Sequence, residues 1–121
     1  MIHILLIEDD IAVQEMLKKT LEREGYQVTT ASNGRIGLRE YNNQAFDVVI
    51  TDLIMPDMEG METIISLKKD NPDVKIIAMS GGGLNNPDEY LDVARKLGAI
   101  KAFEKPLRRQ VLLDAVAELI S

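Results

Sequence analysis

Short apolar runs alternate with longer amphipathic stretches five times along this chain of 121 residues. The amphipathic stretches repeat their apolar residues at the three- and four-residue spacing of helices; the first carries Val13, Met16, Leu17 and Leu21. The pattern predicts strands over 2–8, 26–31, 46–51, 74–79 and 99–103, and helices over 10–24, 35–42, 60–69, 87–97 and 108–120.

This alternation predicts right-handed crossovers and a parallel sheet with helices on both faces. The spacing favours an α/β fold of the flavodoxin-like, doubly wound type, with five strands in the order 2-1-3-4-5 and five helices on two faces. Its switch point would lie between the first and third strands. We therefore expect a single domain over residues 1–121, long enough to bury roughly two-thirds of its unfolded surface.

Composition excludes several classes of function. The chain has no Cys, which excludes disulfides and thiolate metal sites, and no apolar stretch has the length of a membrane span. Its net charge of −6 and its lack of Trp disfavour contact with phosphate backbones and bases. We expect a soluble cytoplasmic protein that binds neither nucleic acid nor a membrane.

Four of the apolar runs end in residues that can carry chemistry. The first leads to Glu8 and Asp9, the third to Asp52, the fourth to Ser80 and the last to Lys105. Because residues at the carboxyl ends of parallel strands converge on one crevice, we expect one pocket that holds three carboxylates, a hydroxyl and an ammonium group. The acid that follows this pair, Asp10, is expected to cap the first helix.

Three carboxylates in one crevice repel one another, and a divalent cation relieves that repulsion. Oxygen ligands favour Mg²⁺, or Mn²⁺, over Zn²⁺. Mg²⁺ held by one or two carboxylates keeps positions for water and for a phosphate oxygen. The pocket therefore predicts Mg²⁺-dependent phosphate chemistry.

Asp52 is the candidate nucleophile, because a carboxylate can attack phosphorus and form an acyl phosphate. Lys105 would neutralise the transferred group, while the Ser80 hydroxyl and the Gly81 backbone N–H would donate to its remaining oxygen. Taken singly, these residues also fit a capping Asp, a loop hydroxyl and a surface lysine. Their combination favours the catalytic interpretation.

Four segments resemble, in order and spacing, the motifs of response-regulator receiver domains of two-component signalling, in the chemotaxis-regulator-like superfamily. They are Ile4–Asp10, Thr51–Pro56, Ile76–Gly81 and Glu104–Pro106. Asp52 follows Asp9 by 43 positions, a distance that is typical of that family. The resemblance covers essentially the whole chain and implies either a stand-alone regulator or an excised N-terminal receiver.

The resemblance also implies roles for individual residues. Asp52 would accept a phosphoryl group from a sensor histidine kinase or a histidine phosphotransfer protein. The Mg²⁺ ligands would be the side chains of Asp9 and Asp52 and the backbone carbonyl of Ile54, with Glu8 acting through a metal-bound water.

In the same family, Lys105 would contact the phosphoryl group and Ser80 would move towards it. The signal would leave through the face of the fourth helix, fifth strand and fifth helix, to an output partner or a homodimer on phosphorylation. Such a chain is not an enzyme in the ordinary sense. It is a phosphoacceptor that assists its own phosphorylation and dephosphorylation.

The chain departs from the family pattern at several positions. Ala102 stands where a rotating Tyr or Phe is common, and Phe103 should point to the other side of the strand; Leu107 stands where Phe is common. Two positions that tune acyl-phosphate lifetime in the family hold Ile54 and Gly82, neither of which has a side chain able to position water. We predict slow self-dephosphorylation. Loss of the phosphoryl group within seconds would contradict this prediction.

Two rival functions use similar folds. A phosphohydrolase of the haloacid-dehalogenase type needs a second Asp two residues after the nucleophile, where this chain has Ile54. A flavin- or nucleotide-binding module needs Gly, Ser or Thr amides in the first strand–helix loop, which here holds three acids.

Three further groups of residues are weaker candidates for function. His3 is expected to be structural, and Met55, Met58 and Met61 are expected to pack in the protein rather than bind a partner. Arg108 and Arg109 fit two interpretations equally well, steering of an acidic kinase surface and a solvated helix turn.

Overall fold

The strands of the sheet all run parallel and have helices between them. The computed structural model describes residues 1–53, 59–81 and 87–121. The strands are β1 (His3–Ile7), β2 (Gln27–Ala31), β3 (Val48–Asp52), β4 (Ile76–Ser80) and β5 (Lys101–Glu104). The helices are α1 (Ile11–Arg23), α2 (Gly34–Asn43), α3 (Glu59–Asp70), α4 (Pro87–Leu97) and α5 (Arg109–Ile120). Within these ranges, no helix is long and apolar enough to cross a membrane.

The order of the strands across the sheet is β2-β1-β3-β4-β5, which confirms the predicted topology. In the register, Ile7 of β1 lies beside Thr51 of β3, and Ser80 of β4 lies beside Glu104 of β5. The carboxyl ends of the strands therefore meet along one edge.

Side chains of successive strand residues point to opposite faces, so the sheet has two apolar clusters. Leu5 and Ile7 belong to the cluster under α2, α3 and α4. Ile4 and Leu6 belong to the cluster under α1 and α5. Both faces of the central strands are thus covered, which explains why their sequences read as continuous apolar runs rather than alternating ones.

Asp52 and Ser80 differ slightly from the prediction, because they are the last residues of β3 and β4 rather than the first residues beyond them. Asp52 still lies in register with Met79, and Ser80 with Glu104, so backbone pairing extends one residue further than the apolar pattern indicates.

A second difference concerns the apolar stripe of α1. Leu17 and Leu21 are buried as predicted, but Met16 is 52% exposed. The buried face of this helix is therefore narrower than its apolar pattern indicates. Gly98 follows α4 with φ +124°, a left-handed conformation that favours glycine and confirms the predicted end of that helix.

Candidate functional site

The three predicted carboxylates do converge. Each of Glu8, Asp9 and Asp52 places a carboxylate oxygen within 4.8 Å of those of the other two. Glu8 follows β1, and its backbone N–H donates to the carbonyl of Ala31 at the end of β2, 3.0 Å away. Glu8 and Asp52 are 0% and 3% exposed, whereas Asp9 is exposed, so the cluster is open to solvent on the Asp9 side.

Lys105 brings the cation to these acids from the far side of β4. Its Nζ donates to Asp52 Oδ2 at 2.8 Å and to Glu8 Oε1. Its backbone N–H donates to the carbonyl of Ser80 at 2.8 Å. The peptide bond from Lys105 to Pro106 is cis. The Lys105 ammonium group thus bridges Glu8, directly after β1, and Asp52, the last residue of β3.

Burial and mutual charge perturb the titration of this cluster. Burial raises the pKa of Glu8 to about 7; the hydrogen bond from Lys105 works against this rise, and the nearby charge of Asp52 adds to it. Burial alone would lower the pKa of Lys105, but its hydrogen bonds to Asp52 and to Glu8 raise that pKa above its ordinary value. Lys105 therefore stays charged while Glu8 titrates near neutral pH.

Ser80 contributes a buried hydroxyl to the same edge of the sheet. Its Oγ is inaccessible to solvent and has no hydrogen-bond partner among the residues described. Gly81 follows it, and a Cβ added there would lie 3.6 Å from Cδ of Lys105. A buried hydroxyl without a partner is costly, so this position suits a ligand that brings an acceptor oxygen.

Asp10 takes the capping role predicted for it. Its Oδ1 accepts hydrogen bonds from the backbone N–H groups of Ala12 at 2.9 Å and Val13 at 3.2 Å, at the start of α1. Its own N–H donates to Glu8 Oε2 at 3.3 Å. Of the three consecutive acids, Asp10 therefore caps α1, while Glu8 and Asp9 lie in the carboxylate cluster.

Gly60 is a residue that the sequence pattern did not single out. A Cβ added to it would lie 2.6 Å from Cα and 2.7 Å from the carbonyl oxygen of Leu53. The first turn of α3 therefore packs directly on the backbone that follows Asp52. The only sequence signal was a glycine at the start of a predicted helix, where it has no obvious capping role.

Several other predictions have outcomes in the structure. Ala102 lies in the cluster under α4, while Phe103 packs against the opposite cluster, which confirms that Phe103 points to the other side of the strand. Met61 is buried in the core, as the packing interpretation predicted. His3 lies at the opposite edge of the sheet with its ring nitrogen 2.7 Å from Thr29 Oγ1.

A further group of predicted residues lies outside the described ranges: Ile54, Met55, Met58 and Gly82. The predictions made on Ile54 as a metal ligand and on Ile54 and Gly82 as determinants of acyl-phosphate lifetime therefore stay predictions.

The residues present fit an octahedral divalent cation by their chemistry. All three candidate side-chain ligands are carboxylates, which suits Mg²⁺ and not a metal that prefers nitrogen or sulfur. Two buried acids next to a third also make a site in which a cation removes repulsion. The exposed side, at Asp9, gives such an ion access from solvent.

Comparison with known proteins identifies the family to which this chain belongs. The sequence model of the response regulator receiver domain family matches residues 4–117. The transcriptional regulatory protein GlrR of Escherichia coli strain K12 is 33% identical over 118 residues, which are 98% of this chain and 26% of GlrR. The response regulator receiver protein CpdR of Brucella abortus is 32% identical over 120 residues, which are 98% of this chain and 96% of CpdR.

The fold comparison agrees. The crystal structure of a response regulator receiver domain protein from Clostridium thermocellum has a TM-score of 0.90 and 34% identity, covering 99% of this chain and 94% of that one. The chain spans about a quarter of the length of GlrR but nearly all of CpdR. Acid cluster, strand order and sequence match agree, and the chain belongs to the response-regulator receiver domain family of two-component phosphorelay signalling.

Proposed function

We propose that Asp52 receives a phosphoryl group from the phosphorylated histidine of a sensor kinase or of a histidine phosphotransfer protein. The observation that supports this most is the surroundings of the Asp52 carboxylate. It lies with the carboxylates of Glu8 and Asp9 inside a 4.8 Å cluster, and its Oδ2 is 2.8 Å from Nζ of Lys105. The nucleophile thus has anionic groups for a metal on one side and a cation on the other.

We propose that Mg²⁺, or Mn²⁺ in its place, is held by Asp9 and Asp52 together with the carbonyl of Ile54, and by Glu8 through a water. When bound, the ion neutralises oxygens of the entering phosphoryl group. The acid cluster supports this set for the three side chains. Ile54 belongs to it by family resemblance.

In the transfer step, a carboxylate oxygen of Asp52 attacks phosphorus while the bond from phosphorus to the histidine nitrogen breaks. The three oxygens of the phosphoryl group keep their negative charge. The Lys105 ammonium group would turn from the Asp52 carboxylate to one of these oxygens. The chain holds Asp52 close to the phosphoryl donor and neutralises charge there. Phosphoryl transfer needs such positioning and neutralisation more than it needs covalent help. In this sense the domain assists its own phosphorylation and, with water as nucleophile, its own dephosphorylation.

Ser80 and Gly81 complete the proposed phosphoryl site. The buried Ser80 hydroxyl would donate to a phosphoryl oxygen and so gain the partner it lacks among the residues that the structure covers. The Gly81 N–H would donate beside it. Because the Ser80 carbonyl accepts from the backbone N–H of Lys105 at 2.8 Å, movement of one residue reaches the other directly.

The proposed route for the signal is the face made by α4, β5 and α5. Arg95 of α4 donates to the carbonyl of Ala102 in β5 at 3.1 Å, and Lys101 of β5 pairs with Glu118 of α5. A shift of the β4 and β5 ends therefore changes contacts with both helices. This face would present the change to an output partner, to a second copy of the chain, or to an effector domain of a longer protein.

The decisive experiment is incubation with acetyl phosphate and Mg²⁺, followed by intact-mass analysis. We expect one phosphoryl group per chain, and none in Asp52→Asn. The matched control is Asp73→Asn, which changes an exposed acid at the other end of the sheet and should label like the unchanged chain. Labelling of Asp52→Asn to the same extent would overturn the proposal.

The same incubation separates the switch from a hydrolase. A single stoichiometric label, or a stable adduct with beryllium fluoride and Mg²⁺, agrees with a phosphoacceptor. Many turnovers of phosphate release from small esters would instead indicate a phosphohydrolase. The predicted slow decay of the label is measured by following the phosphorylated mass after removal of acetyl phosphate.

A further inference from the structure

The peptide that joins Glu8 to Asp9 is held by a side chain from α1. Nε2 of Gln14 donates to the carbonyl oxygen of Glu8 at 3.0 Å and, more weakly, to that of Ala31 at 3.4 Å. Ala31 also accepts from the backbone N–H of Glu8. One amide group therefore ties the first turns of α1 to the ends of β1 and β2.

The helix that carries Gln14 is itself well fixed. Leu17 and Leu21 anchor it in the core, and the Asp10 carboxylate caps its first turn. The Gln14 side chain is half-buried between this helix and the strand ends. Gln44 and Gln110 differ, because each donates to an exposed carboxylate four residues away rather than to a strand end.

We infer that Gln14 is a positioning residue of the acid pair, an inference that rests on the proposed Mg²⁺ site. Its hydrogen bond fixes the plane of the Glu8–Asp9 peptide, so both carboxylates face Asp52 before a cation arrives. Mg²⁺ tolerates little deviation from octahedral geometry, and ligands that are already placed lose less conformational freedom on binding. Gln14 contacts neither the ion nor the phosphoryl group in this role.

Gln14→Met is the informative variant. Methionine has a similar length and no charge, so it removes the amide donor without altering the electrostatic attraction of the pocket for a cation. Removing a residue that orients a metal ligand usually weakens metal affinity about 10- to 100-fold. Because Gln14 holds the backbone of Glu8 and not its carboxylate, we expect the lower end of this range, about tenfold weaker Mg²⁺ binding. The matched control is Gln110→Met, which should bind Mg²⁺ like the unchanged chain.

Calorimetric titration of Mg²⁺ into the folded proteins gives the dissociation constant, and urea unfolding without Mg²⁺ gives stability separately. A merely structural role would lower the free energy of unfolding and leave the dissociation constant of the folded protein unchanged. In phosphorylation by acetyl phosphate, loss of positioning in Gln14→Met should raise the Mg²⁺ concentration needed for half-maximal rate and leave the maximal rate at saturating Mg²⁺ unchanged.

A second variant keeps the test decisive if Gln14→Met does not fold. Gln14→Glu has the same shape and adds a negative charge, which by electrostatics alone would strengthen Mg²⁺ binding. We expect it to bind more weakly than the unchanged chain, because its donor is lost. If either folded variant binds Mg²⁺ as tightly as the unchanged chain, the inference is wrong; if the unchanged chain binds no Mg²⁺, the metal site itself is wrong.

Discussion

The two ends of the sheet use similar polar residues in opposite ways. At the amino-terminal end, the His3 ring nitrogen lies 2.7 Å from Thr29 Oγ1, the His3 N–H donates to Asp47 at 2.8 Å, and Lys75 Nζ donates to the Leu119 carbonyl. Each of these polar groups has a hydrogen-bond partner within the protein. The residues there contribute to stability and have no further requirement for a ligand.

At the carboxyl-terminal end, three acids lie together, two of them pair with one lysine, and the buried Ser80 hydroxyl has no partner among the residues described. The carboxylates repel one another and the hydroxyl is unsatisfied, and the proposed Mg²⁺ and phosphoryl group would relieve both. The polar groups at the amino-terminal end are thus paired within the protein, whereas those at the carboxyl-terminal end retain an acid cluster and a hydroxyl that a ligand can pair.

Lys105→Met should destabilise the protein more than any change at the amino-terminal end of the sheet. It leaves the buried carboxylates of Glu8 and Asp52 without their cation, and breaking a buried pair in this way costs about 3 kcal/mol of unfolding free energy. We expect the loss at pH 8 and a smaller one at pH 5, where Glu8 takes up a proton. Urea unfolding at the two pH values measures both.

The control for this variant lies at the other end of the sheet. Lys75→Met removes a bond to a neutral carbonyl, which is worth about 1 kcal/mol and should not depend on pH between 5 and 8. Equal losses for the two lysines at pH 8 would show that the acid cluster carries no special strain.

The buried Glu8 carboxyl should make the stability of the protein depend on pH. The pKa of Glu8 is raised from 4.5 to about 7, so the folded chain holds its proton more tightly than the unfolded chain. As pH rises from 4.5 to 7 the unfolded chain loses the proton first, and the unfolding free energy falls with a slope of at most about 1.4 kcal/mol per pH unit. Above pH 7 this contribution is constant.

Glu8→Gln should remove this fall, and Glu15→Gln, which changes an exposed acid of α1, should retain it. Chemical unfolding from pH 4.5 to 8 is the measurement. A Glu8→Gln profile as steep as that of the unchanged chain would contradict the assignment of the titration to the buried acid.

Mg²⁺ itself should stabilise the chain by a smaller amount. An ion that binds only the folded state at ten times its dissociation constant adds about 1.4 kcal/mol, which appears as a higher melting temperature. Asp52→Asn should reduce that response, while Asp73→Asn, remote from the cluster, should keep it. An equal response in Asp52→Asn would place the ion elsewhere.

Sequence reasoning predicted the strand order and the convergence of Glu8, Asp9, Asp52 and Lys105, because apolar periodicity fixes the elements and parallel strands bring their carboxyl ends to one edge. It did not find Gln14 or Gly60. Both act through backbone atoms near the ends of strands, Gln14 on Glu8 and Gly60 on Leu53, and a glutamine on a helix or a glycine at a helix start carries no periodic signal. Contacts of this kind depend on the relative heights of helix and sheet, which spacing along the chain does not determine.

Thr29→Val tests the quiet end of the sheet and has the smallest expected effect. It removes the hydroxyl next to the His3 ring, which still packs on Phe46 with ring centroids 4.3 Å apart. One neutral hydrogen bond is worth about 1 kcal/mol, and valine's preference for strands offsets part of its loss. We expect a slightly lower unfolding free energy with unchanged Mg²⁺ affinity and phosphorylation rate. A change in either would mean that the two ends are energetically coupled through β1 and β2, and that the division between stability and ligand binding is not local.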